Sequence, residues 1–360
     1  MKKIITLALG SALLLSGCGG SNGDTAILAE EKYGSYTLKV YNWGEYMGED
    51  LISNFEDQFG VKVIVEYFDS NEMMYTKLQA GDAYDVIVPS DYMIERLISE
   101  DMVQELDLSK IPNVSNLAEG VKNLPYDPSN TYSIPYFWGN VGIMYNHTTV
   151  NPADVEKLGY NIFLDPTYAG RIYAYDSERD SFMMAFKALG YSMNTEDEAE
   201  IQAAYEWLLK MNDTMSPAYV TDEVIDGMIN GNKDIAAVYS GDATTILEEN
   251  DDMSFFLPAE GTNLWSDAMV IPANAENPLL AHEFINYVLT YEASYDNSET
   301  VGYTSSNQQV IDDMSSADGD YNGNTAYIPR TDYAKDEVFQ DKAVLKQKLA
   351  ELWIKVKAAH

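Results

Sequence analysis

The sequence is poor in the residues that build metal sites and nucleophilic centres. Its 360 residues include one cysteine, Cys18, and three histidines, at positions 147, 282 and 360. A single cysteine excludes an intramolecular disulfide, and scattered histidines do not form a metal cluster. No P-loop, H-E-x-x-H or G-x-G-x-x-G pattern occurs. We therefore expect no metal, no cofactor and no enzyme activity, and we expect His282, in an amphipathic helix, to lie at the surface.

Basic residues are also scarce. The chain has 22 Lys and Arg against 58 Asp and Glu, which gives a formal net charge of −36. Nucleic-acid binding needs a basic surface, so this composition disfavours a nucleic-acid partner. An acidic surface attracts small cations at long range, although most of this charge serves solubility.

Only one long apolar run is present, and it stands at the N-terminus. Two lysines precede an apolar run over residues 4–15, too short for a permanent membrane span, and LSGC follows it. This predicts a signal peptide over residues 1–17. The LSGC ending resembles a bacterial lipobox, in which Cys18 would be lipidated and become the mature N-terminus. Residues 18–35 are small and polar, which predicts a flexible, lipid-anchored tether.

After the tether, predicted strands and helices alternate. Over the first third, apolar periodicity and helix-boundary signals predict strands at 38–42, 61–67 and 85–88 and helices at 50–59, 70–81 and 91–100. This order predicts an α/β fold with a parallel sheet covered on both faces. Ligands of such sheets bind beyond the carboxyl ends of the strands.

A second unit of the same kind follows residue 139. Strands are expected at 141–145, 172–175, 235–239 and 268–271, and Thr195 with Glu198 predicts a capping box opening a long helix. About 325 residues exceed one core, so we expect two domains.

Three short stretches place an aromatic residue beside a carboxylate where the chain is expected to leave a strand. They are residues 43–46 (WGEY), 239–242 (YSGD) and 265–267 (WSD). Aromatic faces attract organic cations and carboxylates accept their N–H bonds, so the stretches favour one pocket for an organic cation. The alternative is core rings beside solvated acids.

Six motifs in order resemble the spermidine/putrescine-binding proteins of bacterial ABC importers. They are residues 41–46 (YNWGEY), 70–78 (SNEMMYTKL), 84–90 (YDVIVPS), 132–136 (YSIPY), 271–275 (IPANA) and 301–303 (VGY). The resemblance implies a type II periplasmic-binding-protein fold, with two lobes, a ligand cleft and two interlobe crossings. Lobe I would comprise residues 36–139 and 267–311, and lobe II residues 140–266 and 312–360.

The resemblance also implies roles for individual residues, carried over by motif position. An aromatic box would be formed by Trp43, Tyr92, Tyr239, Trp265 and Tyr303. Terminal ammonium groups would bind Glu45 and Asp180, and a central amine would bind Asp267. The ligand would be oriented by the polar residues Tyr46, Ser90, Thr221 and Gln340.

The chain departs from the family pattern at three of these places. Tyr239 replaces a usual Trp, and Ser177 stands where spermidine-type proteins have a second carboxylate. Asp242 matches an acid of putrescine-type proteins, so the set of carboxylates is intermediate. The alternative for Asp242 is a structural role as the cap of a helix starting at Ala243.

The residues support a polyamine independently, because an alkyl polyamine offers only ammonium groups and methylenes, which need fixed acids and apolar faces. The expected protein is a monomeric extracytoplasmic receptor, anchored to the cell membrane, that passes its ligand unchanged to an ABC permease. The alternatives are a carbohydrate receptor, a tyrosine-based ferric site and a secreted hydrolase.

Overall fold

The computed structural model describes residues 22–359, which form a mixed α/β fold around one sheet. The strands are β1 (Thr37–Trp43), β2 (Lys62–Phe68), β3 (Val86–Ile87), β4 (Ser133–Asn146), β5 (Ile172–Tyr175), β6 (Ala218–Val220), β7 (Ile235–Tyr239), β8 (Met253–Phe256), β9 (Leu264–Val270) and β10 (Thr304–Ser305). The helices are α1 (Asn22–Tyr33), α2 (Leu51–Phe59), α3 (Asn71–Ala80), α4 (Asp91–Ser99), α5 (Pro152–Leu158), α6 (Glu178–Leu189), α7 (Glu198–Met215), α8 (Glu223–Ile229), α9 (Ser240–Glu249), α10 (Pro278–Val288), α11 (Tyr291–Val301), α12 (Gln308–Met314) and α13 (Ala343–Ala358).

The predicted helix boundaries are confirmed where a local signal sets them. Helix α2 ends at Gly60, whose φ of 66° is the left-handed conformation that glycine adopts without strain. Ser70 caps α3 by accepting the Met73 N–H at 3.2 Å. The predicted capping box of α7 is wrong, because Asp197 accepts the first N–H bonds of that helix.

The sheet is mixed, not parallel throughout. Strands β2, β1 and β3 are parallel, as are β7, β5 and β6, but β9 runs antiparallel to β3 and to β4. The parallel prediction therefore holds on either side of a central antiparallel pair. The antiparallel strands β9 and β4 lie between the two parallel groups in the sheet.

One strand, β4, connects both groups. Its first half pairs with β9 and β10, and its second half pairs with β7 and β8. It is buried from Ser133 to Met144, so the core lies on both faces of this strand. At Gly139 an added Cβ would lie 2.8 Å from the Trp265 ring, so the approach of β9 requires a glycine there.

Two further predictions are corrected. The tether predicted at residues 18–35 contains helix α1, because Ala29 and Tyr33 are buried and the Tyr33 ring packs 6.4 Å from that of Phe59. His282 is also buried, and its Nε2 accepts the Asp107 N–H at 2.9 Å. The signal peptide and Cys18 lie outside the described residues.

Residues 22–359 hold no helix that is both long and apolar enough to cross a membrane. Over the same residues, no group of three or more His, Cys, Asp or Glu side chains could hold a metal ion.

Candidate functional site

Strand β4 brings two of the three predicted aromatic–carboxylate stretches together. In the sheet register Trp265 pairs with Gly139 and Asp267 with Phe137, while Tyr239 pairs with Val141 from the other side of β4. The rings of Tyr239 and Trp265 are therefore close, with their centroids 5.9 Å apart.

Two further rings enclose this centre. Tyr303, which directly precedes β10, lies 5.4 Å from the Trp265 ring and 5.5 Å from that of Tyr46. Gly241 permits this approach, because a Cβ at that position would overlap the Tyr303 ring. We call this group the aromatic cluster: Tyr46, Phe137, Tyr175, Tyr239, Trp265 and Tyr303.

Three buried carboxylates each accept a hydrogen bond from a tyrosine of the aromatic cluster. We call them the cluster acids: Asp180, Asp242 and Asp267. The hydroxyl of Tyr239 donates to Asp180 Oδ2, that of Tyr303 to Asp242 Oδ1 and that of Tyr46 to Asp267 Oδ2, each at 2.7 Å. Over residues 22–359, none of these acids forms an ion pair with a lysine or arginine of the chain.

Asp267 lies in the middle of β9, next to the residue that precedes α4. Its backbone forms a β-bridge with Ser90, and the nearby side chains of Ser90 and Tyr46 hydrogen-bond its carboxylate. Burial nevertheless raises the pKa of Asp267 to about 6, because the charged form loses its hydration.

Asp242 lies in the first turn of α9. The helix is capped at Tyr239, so the alternative that Asp242 is itself the cap is wrong. Its Oδ2 accepts a second hydroxyl, that of Tyr175, at 3.0 Å. Burial raises the pKa of Asp242 to about 6, although both tyrosine hydroxyls oppose that rise.

Asp180 occupies the first turn of α6, which begins after Ser177. The Ser177 hydroxyl donates to Asp180 Oδ2 at 2.7 Å and accepts the Asp180 N–H at 3.3 Å. Asp180 Oδ1 and Trp265 Nε1 are both buried without a hydrogen-bond partner. Unsatisfied buried polar atoms are rare in folded proteins, and these two atoms remain free to hydrogen-bond a bound molecule.

Four other predicted site residues lie outside the aromatic cluster. Trp43 packs on Phe68, with 4.5 Å between ring centroids. Glu45, Thr221 and Gln340 are exposed, and no hydrogen bond of the described residues joins their side chains to the cluster acids. Glu45, Thr221 and Gln340 lie on surface loops, so strand pairing on β4 does not bring them to the aromatic cluster.

Tyr92 lies beside Ser90 at the start of α4, but the protein itself covers its ring. The Arg179 guanidinium carbon lies 3.3 Å from the Tyr92 ring centroid, and Asn71 donates to the Tyr92 hydroxyl at 3.1 Å. Arg179 also lines a surface pocket with Gln340.

Sequence reasoning missed three residues here: Tyr175, Arg179 and Asp91. Tyr175 ends a predicted strand, which was a usable signal, whereas the position of Arg179 depends on tertiary packing. Asp91 is 1% exposed and its Oδ2 has no partner. Burial raises the pKa of Asp91 to about 8, and the nearby charge of Asp267 adds to that rise.

The chain resembles known proteins over most of its length. The family model described as bacterial extracellular solute-binding protein matches residues 50–323. The spermidine/putrescine-binding periplasmic protein of Escherichia coli (strain K12) is 37% identical over 273 residues, 75% of this chain and 78% of that protein. The putrescine-binding periplasmic protein PotF of the same strain is 30% identical over 300 residues, 78% of this chain and 80% of that protein.

A solved structure agrees in fold. The crystal structure of the spermidine/putrescine ABC transporter substrate-binding protein PotD from Streptococcus pneumoniae strain Canada MDR_19A is 34% identical, with a TM-score of 0.78 over 90% of this chain and 99% of that chain. The predicted type II periplasmic-binding-protein fold is thus confirmed, and the chain belongs to the bacterial extracellular solute-binding proteins.

Proposed function

We propose that this protein is the receptor of a bacterial ABC importer and that its ligand is an aliphatic polyamine. The observation that carries the proposal is the set of three cluster acids, each oriented by a tyrosine hydroxyl and none paired with a cation of the described chain. The relatives named as spermidine/putrescine-binding and putrescine-binding proteins support the same ligand class.

The chemistry of the site fits a polyamine. Each ammonium group would take a carboxylate, and the methylenes between the groups would lie along Trp265, Tyr303 and Tyr239. Burying an ammonium without a partner costs several kcal/mol, so the acids at fixed separations select the ligand. A sugar site would also use aromatic faces, but it would usually add Asn, Arg or Lys side chains that bind the hydroxyl groups.

Ligand delivery would leave the polyamine unchanged, so we assign the protein no catalytic role. Its partners would be the polyamine and the permease subunits of the importer, and it would act as a monomer. Cys18 would anchor it to the membrane outside the cytoplasm through its lipid. Cys18→Ala should release the protein into the medium or leave its precursor unprocessed, and a mature, anchored variant would overturn the assignment.

The two lobes would close around the ligand. We place lobe I at residues 36–139 and 267 onward, and lobe II from 140 to 266 with the C-terminus. For the third boundary, expected at residue 311, we propose a position near residue 330, because Tyr321 donates to the Ser298 carbonyl and Thr304 to the Tyr327 carbonyl.

Contacts between α3, α4 and the C-terminal segment support closure. Lys346 pairs with Glu72 at 2.5 Å, and the Asp341 N–H donates to Glu95 at 2.6 Å. Small-angle scattering should show a smaller radius of gyration with saturating polyamine than without it. An unchanged radius at proven saturation would contradict closure.

One calorimetric panel tests the ligand class: putrescine, cadaverine, spermidine, spermine and maltose. We expect heat of binding from at least one amine and none from maltose. Binding of maltose alone would favour the carbohydrate receptor, and conversion of an amine to a product would favour an enzyme.

A further inference from the structure

The segment over residues 335–346, which we call the strap, is fixed to α6 and to the loop that follows it. Glu337 accepts the Lys187 ammonium at 2.5 Å and the Met193 N–H at 2.8 Å. The Asn194 side chain donates to a backbone carbonyl of the strap at 2.9 Å. These partners all belong to the proposed lobe II, so the strap should move together with that lobe.

The strap also contacts α3 and α4, which belong to the proposed lobe I. The Asp341 N–H donates to Glu95 at 2.6 Å, and Lys346, near the start of α13, pairs with Glu72 at 2.5 Å. The first contact uses a backbone amide, which most side-chain substitutions at Asp341 would keep. The second is an ion pair between side chains, which a single substitution removes.

The surroundings of the Lys346–Glu72 pair favour its charged form. The Lys346 side chain is 23% exposed and that of Glu72 48% exposed. Burial tends to raise the pKa of Glu72, but the bond from Lys346 and the charge of Arg179 oppose this, and the pKa is lowered. Glu72 is therefore ionised at neutral pH, and partial burial strengthens its attraction to Lys346 relative to a fully exposed pair.

The Lys346–Glu72 pair joins the two lobes away from the cluster acids. Tyr303 of the proposed lobe I also reaches lobe II, where it donates to Asp242 at 2.7 Å, but its removal would change the ligand site itself. Over residues 22–359, no hydrogen bond or ion pair joins Lys346 or Glu72 to a cluster acid. This pair can therefore be removed while the cluster acids and their tyrosine donors stay in place.

We propose that Lys346 and Glu72 form a latch, a pair of positioning residues that holds the lobes closed and slows ligand release without selecting among ligands. The proposal rests on the proposed receptor function and deepens it. Opening the lobes would separate α3 from the strap, so the ion pair stabilises the closed form relative to the open one. Its loss should speed opening, and the release of each ligand should rise by the same factor.

The experiment is stopped-flow measurement of putrescine and spermidine dissociation from the wild-type protein, Lys346→Met, Glu72→Gln and the double variant. We expect each single substitution to raise both dissociation rates by about threefold, within the range measured for ion pairs at protein surfaces. The double variant should release ligand no faster than the faster single variant, because both substitutions remove the same interaction. Calorimetry should show an unchanged putrescine-to-spermidine affinity ratio.

The same helix provides a matched control. Lys348 pairs with Glu198 at 2.9 Å, and this pair joins α13 to α7 within the proposed lobe II. Lys348→Met removes the same charge from the same helix but breaks no contact between the lobes, so it should release both amines at the wild-type rate. Thermal unfolding of each variant establishes that it is folded.

The results separate the latch from the function beneath it. If the wild-type protein binds neither amine, the proposed function fails and the latch with it. If an amine binds, the latch alone is overturned when Lys346→Met releases it at the wild-type rate or when the two substitutions act additively. Equal acceleration by Lys348→Met would also overturn it, since net charge would then be the cause. A changed putrescine-to-spermidine ratio would overturn it as well, because the pair would then act on the ligand.

Discussion

The buried cluster acids and the half-buried Glu337 are carboxylates that the protein holds in two different ways. In the aromatic cluster, Asp242 and Asp267 accept hydroxyl groups of tyrosines, and their pKa values rise to about 6. Glu337, in the C-terminal segment, accepts the Lys187 ammonium at 2.5 Å and the Met193 N–H at 2.8 Å. Burial raises the pKa of Glu337 too, but those bonds more than offset it, and the pKa is lowered.

The difference lies in what the donor brings. A tyrosine hydroxyl satisfies and orients a carboxylate oxygen without adding charge, whereas the ammonium of Lys187 neutralises the carboxylate of Glu337. The Glu337 pair therefore completes the fold by joining the C-terminal segment to α6. The cluster acids keep their negative charge for a cation from outside.

The substitution with the largest expected effect on affinity replaces one acid of each kind by its amide. Asp267→Asn keeps the shape and leaves a desolvated ammonium of the ligand unpaired, at a cost of roughly 3–5 kcal/mol. We expect polyamine affinity to fall at least about a hundredfold, measured by calorimetry. Glu337→Gln should instead lower the thermal midpoint of unfolding and leave affinity nearly unchanged. Equal effects on affinity would contradict the distinction.

Acidification should produce the next largest effect. Asp242 and Asp267 have pKa values of about 6 in the free protein, so both gain protons as the pH falls through 6. A cationic ligand needs them ionised, and we expect affinity to fall by about a hundredfold between pH 7 and pH 5. Binding near pH 6 should release protons, which calorimetry in buffers of different ionisation enthalpy measures.

The raised pKa values of Asp242 and Asp267 also determine how the stability of the ligand-free protein changes with pH. Between the ordinary pKa of 3.8 and the folded value of about 6, the folded protein holds more protons at Asp242 and Asp267 than the unfolded chain does. These two groups therefore make the protein less stable as the pH rises through that window.

The prediction for binding has its own contradicting outcome. A polyamine affinity that does not change between pH 5 and pH 7 would show that neither Asp242 nor Asp267 contacts the ligand.

A third test concerns Asp242 alone. Asp242→Ser should weaken putrescine binding more than spermidine binding, because putrescine has only two charges to place and spermidine can keep the other acids. We expect the affinity ratio to change by about tenfold, equivalent to roughly 1.4 kcal/mol. An unchanged ratio with lower thermal stability would assign Asp242 a structural role only.

The smallest expected effect isolates a tyrosine hydroxyl. Tyr46→Phe removes the donor to Asp267 and should weaken polyamine binding by a few-fold, the usual effect of about 1 kcal/mol for one hydrogen bond. The control is Tyr295→Phe, which removes a hydroxyl that donates to the exposed Asp320. The control should bind as the wild type does, and equal losses in both variants would contradict a special role for Tyr46.

Local patterns in the sequence predicted seven of the ten strands in the described part of the chain, at least in part, and the bounds of α2, α3 and α4 to within one residue, but the short strands β6, β8 and β10 were not predicted. Trp265, Asp267 and Tyr239 were found because each belongs to a stretch with an aromatic residue beside a carboxylate; Tyr239 ends β7 as expected, whereas Trp265 and Asp267 lie within β9 and not at a strand exit. The stacking of Arg179 on Tyr92 was not predictable, because it joins two residues that are 87 positions apart in the chain (179 − 92). The antiparallel course of β9 and the burial of His282 likewise depend on long-range pairing and packing, which periodicity does not encode.

Helix α1 bears on how the protein stands at a membrane. Tyr33 and Ala29 fix it to the body of the protein, so the proposed anchor at Cys18 is separated from a rigid element by only four Cα steps to Asn22, at most about 14 Å. A connecting segment this short would restrict the rotation of the protein relative to the bilayer. The side that carries α1 would face the lipid, and the same opposite face would be offered to the aqueous phase at every encounter.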